Sequence, residues 1–231
     1  MARVLARMLD ALEPGITTAE LDDYGARLLD KAGARSAPRL AYRFPGATCI
    51  SINEETAHGV PGPRVIRRGD VVNIDVSAEL DGYYADTGGT RVVPPSNRQK
   101  DQLCRATREA LEAAIAVARD GARLAALGAA MEAVATAYGL RVIENLGSHG
   151  VGRRLHEAPG FIPGYEDPTD RRRLKAGMVI TLEPFLSTRS RRLRLAADGW
   201  TLKGLPGNLS AQYEHTLVIR RDAPLVLTRQ S

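Results

Sequence analysis

Apolar residues follow two spacings in turn along this chain, helical in one stretch and strand-like in the next. Residues 18–33 place Leu21, Tyr24, Leu28 and Leu29 on one helical stripe, with Thr17 or Thr18 positioned to cap its start. Residues 1–12 read as an earlier helix, and Pro14-Gly15 separates the two. After Gly33 the chain turns to short runs of β-formers broken by glycine and proline, with strands expected at 47–52, 70–79 and 82–92. Helical spacing returns in alanine-rich segments at 97–119 and 123–138, divided by Asp120-Gly121. Strands are expected again at 140–146, 178–187, 199–203 and 211–220. Helices followed by strands, twice over, predict one mixed α+β domain with two similar halves. No linker rich in Pro, Gly or Ser divides it, and no simple repeat is present.

Composition changes this picture little. A chain of 231 residues with 44% hydrophobic content can bury a full-sized core. No apolar run approaches the length needed to span a bilayer, so a cytoplasmic protein with no membrane contact is expected. Cys49 and Cys104 are too few for a disulfide framework and read as reduced thiols. The net charge of +5 is carried mainly by arginine, clustered at Arg171, Arg172 and Arg173 and again at Arg189, Arg191, Arg192 and Arg194. Solvated surface is the plain reading of these clusters, and ribosome association is the alternative. No interleaved aromatic residues point to single-strand or sequence-specific nucleic-acid binding.

Acidic residues inside apolar runs change the picture more. Asp75 lies in VVNIDVS, Asp86 in YYADTGGT, Glu183 in VITLEPF and Glu214 in QYEHTLV. Burying ionised carboxylates is costly unless a cation compensates them, so a metal site accounts economically for several at once. Asp81-Gly82 is a favoured two-residue hairpin turn; with it, Leu80 pairs with Tyr83 and Ser77 with Asp86. Asp75 shares a face with Ser77, which makes Asp75 and Asp86 diagonal neighbours on one face. The alternative is a pair of turn-flanking surface acids.

Glu183 precedes Pro184, which suggests a strand end beside a cleft. Oxygen-rich sites with one imidazole suit Mn, Fe, Co or Zn, and four carboxylates nearly balance two divalent ions. HExxH, paired CxxC and G-x-S-x-G motifs are absent. Three histidines, His58 in AHGVPG, His149 in SHGVG and His156 in RRLHEAPG, fall in segments read as active-site loops. His215 reads as a structural hydrogen-bonder.

The ordered segments SINEETAHGVP, GDVVNIDVSAELDGYYADTGGT, GSHGVGRRLHEAPG, GMVITLEPF and LSAQYEHTLVI resemble the motifs of the type I methionine aminopeptidases, over most of the chain from about Leu9. The resemblance implies the pita-bread α+β fold, two pseudo-symmetric halves of mainly antiparallel sheet covered by helices. It implies a single catalytic domain over 1–231, with an N-terminus shorter than usual, acting as a monomer. Asp75 would bind one divalent metal ion, His149 and Glu183 the other, and Asp86 and Glu214 would bridge both. The implied reaction removes the initiator methionine from nascent polypeptide N-termini that have a small second residue, by attack of a metal-bound hydroxide. Glu183 would accept a proton, His156 would polarise the scissile carbonyl and His58 would contact the peptide beyond it.

By the same resemblance Phe44, Cys49 and Trp200 surround the methionine side chain; plain core packing is the alternative for each. Ala57, Leu155 and Tyr42 depart from residues common in the family, cysteine, an aromatic residue and histidine in turn, and all three are expected at pocket walls. X-Pro aminopeptidases and dipeptidases share the fold but usually carry an additional N-terminal domain. A non-catalytic binding protein on this fold would be expected to lack ligands, and none is missing.

Overall fold

The structure is a computed structural model that describes residues 1–229. Helices at Ala2–Asp10, Thr18–Lys31, Arg98–Val117 and Leu124–Ala137 fall where the apolar spacing puts them. Thr17, not Thr18, is the cap: its hydroxyl accepts from the Glu20 amide, and the Glu20 carboxylate accepts from the Thr17 amide. A short helix at Ala37–Tyr42 was not expected from the β-rich character of that region. Its start is nonetheless encoded, because Ser36 caps it and Pro38 occupies the first turn.

The hairpin forms as the turn chemistry requires. Strands Val71–Leu80 and Tyr83–Val92 pair along their whole length, with Leu80 opposite Tyr83 and Ser77 opposite Asp86. Asp81 and Gly82 both take left-handed backbone angles, φ +53° and +80°, as a two-residue primed turn demands. Cys49–Ile52 and Arg35–Ser36 add to the free edge of Val71–Leu80, all antiparallel. The two N-terminal helices cover this sheet through a core that includes Met8, Leu21, Leu29, Ile50 and Ile74.

The other half repeats the plan. A five-stranded antiparallel sheet runs in the order Leu225–Val226, His215–Val218, Val179–Leu182, Gly147–Gly150, Glu157–Pro163. Helices Arg98–Val117 and Leu124–Ala137 cover it through Leu103, Leu127, Met131, Ile162, Ile180 and Leu217. A seam of hydrogen bonds joins the halves. The Asp86 amide donates to Thr216 Oγ1 at 2.9 Å, the Glu214 amide to the Gly88 carbonyl at 2.9 Å, and Thr87 Oγ1 to the Glu214 carbonyl at 2.9 Å.

Several strand expectations need correction, and the reasons bear on the site. The run 178–187 is two strands, Val179–Leu182 and Phe185–Ser187, and 211–220 is also two, Ser210–Gln212 and His215–Val218. Val179–Leu182 pairs with His215–Val218 in the five-stranded sheet, whereas Phe185–Ser187 pairs with Ser210–Gln212 in another. The chain therefore changes sheet at Glu183-Pro184 and again at Tyr213-Glu214. The strand expected at 140–146 shrinks to Arg141–Val142, and 199–203 shrinks to Leu202–Lys203. His149 lies in strand Gly147–Gly150 and not in a loop, and Glu157–Pro163 is a strand despite its two prolines, at a sheet edge that tolerates them.

Part of each arginine cluster is engaged within the chain: Arg172 pairs with Asp170, and Arg191 and Arg192 reach Glu144. Cys49 and Cys104 are both buried free thiols. Among the described residues no helix is long and apolar enough to cross a membrane.

Candidate metal centre

The seam brings the acids of the two halves together. Asp75 and Asp86 come from the paired strands of the hairpin, near enough that the charge of Asp75 raises the Asp86 carboxyl. Glu183 and Glu214 stand at the two points where the chain changes sheet. His149 enters from strand Gly147–Gly150, held by its amide to Thr181 Oγ1 at 3.0 Å, and Glu183 is fixed by its amide to Ser148 Oγ at 3.0 Å. His149 Nδ1 meets the Gly150 carbonyl at 3.0 Å. A carbonyl only accepts, so Nδ1 carries the proton and Nε2 keeps its lone pair. Nε2 lies 3.5 Å from Glu183 Oε1, and one donor atom each from Asp86, His149 and Glu214 lies within 4.8 Å of the others. Gly150 lets the strand that carries His149 lie close against its neighbour, because a Cβ there would stand 2.3 Å from the Ala158 carbonyl oxygen.

The electrostatics are those of a site built for cations. Burial pushes the carboxyls of Asp86, Glu183 and Glu214 well up from their usual range, and the neighbouring carboxylates push them further. Burial lowers His149 to about 3, so its ring is neutral and available as a ligand. No lysine or arginine among the described residues forms an ion pair with any of the four acids. Asp86 Oδ1 and Glu214 Oε1 are buried with no hydrogen-bond partner. Orphaned oxygens on acids that face one another and a neutral imidazole fit divalent metal ions.

Above this floor opens a cleft of about 390 Å³, lined by residues that include Tyr42, Phe44, Cys49, His58, Leu155, His156, Phe185 and Trp200. Phe44 and Trp200 meet edge to face with centroids 5.3 Å apart. The His156 ring lies 4.0 Å from that of His149, centroid to centroid. His58 holds a left-handed backbone at φ +54°, a conformation that costs energy in a non-glycine residue and concentrates at functional sites. Leu155 is buried in the cleft wall, whereas Ala57 packs behind it with Ile143, Phe185 and Leu193. His215 points elsewhere and bonds to Thr228 Oγ1 at 2.8 Å.

Sequence reasoning did not single out Phe185, the bond between Tyr42 Oη and His156 Nδ1 at 2.6 Å, or Gln212 among the acids. For Gln212 a signal existed: it sits two residues before Glu214, and alternate strand positions share a face.

Comparison with known proteins bears on this arrangement. The family model for "Metallopeptidase family M24" matches residues 1–221. The chain belongs to metallopeptidase family M24. It is 44% identical to methionine aminopeptidase 2 of Bacillus subtilis (strain 168), over 94% of this chain and 88% of that protein. The crystal structure of the methionine aminopeptidase from Thermotoga maritima superposes with a TM-score of 0.93 at 33% identity, covering 99% of this chain and 92% of that one. The prolidase from Pyrococcus furiosus shares only the fold, with a TM-score of 0.77 at 23% identity; this chain spans 60% of its length. The fold of this M24 chain is thus the pita-bread fold, and the chain is a metallopeptidase.

Proposed function

We propose that this chain is a methionine aminopeptidase that removes the initiator methionine from nascent proteins and peptides with a small second residue. The observation that carries the reading is the convergence of buried acids with orphaned oxygens on neutral His149, at the floor of a cleft walled by Phe44 and Trp200. Two divalent ions, of Mn, Fe, Co or Zn, would be held by Asp75, Asp86, His149, Glu183 and Glu214. Bound there, they supply Lewis acidity and a water nucleophile acidic enough to act near neutral pH.

The chain's own residues do the remaining work. Half-buried Asp75 faces the cleft, and the free amine of the substrate would sit near the ion it holds. Phe44, Cys49 and Trp200 offer aromatic and sulfur contacts to a flexible thioether side chain. His156 stands over the floor to polarise the scissile carbonyl and steady the charge that develops on its oxygen, with its Nδ1 tied to the Tyr42 hydroxyl. His58, opposite, contacts the peptide beyond the scissile bond and helps the leaving amine. Glu183 Oε1 takes up the proton released as the nucleophile forms. The reading places this chemistry in one cytoplasmic, monomeric catalytic domain, with the arginine clusters available for ribosome contact.

Hydrolysis of Met-Ala-Ser and Ala-Pro-Ala by the metal-loaded protein separates the readings. Efficient cleavage is expected for the methionyl peptide alone. Cleavage confined to Ala-Pro-Ala would favour an X-Pro peptidase, and no cleavage with Mn, Fe, Co or Zn would favour a non-catalytic binding protein.

A further inference from the structure

Gln212 is fully buried at the end of strand Ser210–Gln212, and its amide nitrogen is surrounded by acids. Nε2 lies 3.1 Å from Glu214 Oε2, 3.2 Å from Glu183 Oε2 and 3.5 Å from Asp75 Oδ2. Its other end meets Asn73, whose Nδ2 donates to Gln212 Oε1 at 2.8 Å. The orientation of both amides follows from their partners. Asn73 Nδ2 also faces the Gly89 carbonyl, Thr90 Oγ1 and the Gln212 carbonyl, an environment dominated by acceptors, so its nitrogen must point there. Gln212 Oε1 must then face Asn73, which leaves Nε2 for carboxylates that can only accept.

The space for this amide is also built in. Gly88 stands opposite Asp75 in the hairpin, and a Cβ on it would fall 2.2 Å from Gln212 Oε1. Any side chain there would push the amide away from the acids. The three carboxylates it reaches come from different parts of the fold: Asp75 from the hairpin, and Glu183 and Glu214 from the two sheet-change points. Its two N–H groups serve Glu214 and Glu183 most closely, with Asp75 at the limit of reach, and it carries no charge. A cation in its place would compete with the metal, whereas an amide can orient the carboxylates without cancelling their charge.

We propose that Gln212, oriented by Asn73 and admitted by Gly88, is the positioning residue of the metal centre, fixing Glu183, Glu214 and Asp75 in place to receive divalent ions. This rests on the reading of those acids as ligands. Each carboxylate places one oxygen near the shared amide, and the other oxygen of Glu214, Oε1, is buried without a hydrogen-bond partner, where it would be free to hold an ion. Outer partners of this kind typically govern metal affinity by about 10–100-fold.

The test is calorimetric titration of Co²⁺ into apo wild-type, Gln212→Met and Asn73→Ala proteins, with the visible d–d spectrum of each and its Tm. Gln212→Met keeps the length of the side chain and removes its amide, both the donor to the acids and the acceptor for Asn73. It is expected to bind Co²⁺ about 10–100-fold more weakly with a shifted d–d spectrum. Asn73→Ala leaves Gln212 in place but frees its orientation; a loss of about tenfold is expected, and this variant decides the matter if Gln212→Met does not fold. A lowered Tm with Co²⁺ affinity and spectrum unchanged would make Gln212 a packing residue and overturn the inference alone. Failure of the wild-type protein itself to bind Co²⁺ would overturn the metal centre and the inference together.

Discussion

Replacing Asp86 with asparagine is expected to lower kcat/KM by more than about 10³-fold, beyond the 10–100-fold that loss of an outer partner costs. Asp86 is buried, its Oδ1 lacks a hydrogen-bond partner, and it faces His149 and Glu214 from the opposite half of the molecule. As a bridge between two ions it would be needed for both. Asn keeps the shape but not the charge, so binding should fail while the fold is kept. Stability should move the opposite way. Without metal, Asp86 is one of several crowded acids, and removing one charge relieves repulsion and desolvation. The metal-free Asp86→Asn protein is therefore expected to melt at or above the temperature of the metal-free parent. A large drop in Tm, with activity reduced only in proportion, would mean that Asp86 serves the fold and not the reaction.

The second large effect is a metal-dependent change in stability that grows with pH. A ligand at about a thousandfold its Kd adds about 4 kcal/mol to the native state, roughly 8–16 °C in Tm for a protein of this size. Asp86, Glu183 and Glu214 have pKa values raised in the metal-free fold, so the native state holds protons that the unfolded chain releases near pH 4. The stability these groups contribute is fully present below that pH and is lost as pH rises through the raised values. His149 acts in the opposite sense. Held at about 3, it contributes stability that is present above the unfolded histidine value near 6.5 and lost as pH falls. Above the unfolded histidine value the His149 contribution is constant, and the difference between the loaded and metal-free protein then reports the acids. Calorimetric scans should show the metal-free Tm falling relative to the loaded protein as pH rises through the raised carboxyl values. A separation that stays constant or narrows would show that the four acids are not left uncompensated in the metal-free protein.

The legibility of this site in the sequence was uneven, for physical reasons. The hairpin could be read to the residue because Asp-Gly sets the turn and the turn sets every pairing, which put Asp86 opposite Ser77. The helices were legible because 3.6-residue spacing persists over many turns. Strand Gly147–Gly150 was not, since GSHG carries no β-pattern and its pairing is imposed by the backbone approach that Gly150 permits. The sheet changes at Glu183 and Glu214 were hidden within continuous strand-like runs, because pattern reports burial and not which sheet a strand joins. Gln212 escaped notice as an uncharged residue beside a conspicuous acid. Tyr42 was noted only as a departure from a family pattern, and its bond to His156 depends on a short helix that was not expected.

The most direct measurement is anomalous diffraction from crystals of this protein soaked in Mn²⁺. Two peaks are expected, enclosed by Asp75, Asp86, His149, Glu183 and Glu214, with Asp86 and Glu214 touching both. No peak among these residues, or a single ion that leaves Asp86 or Glu214 uncoordinated, would contradict the dinuclear centre on which the proposed reaction depends.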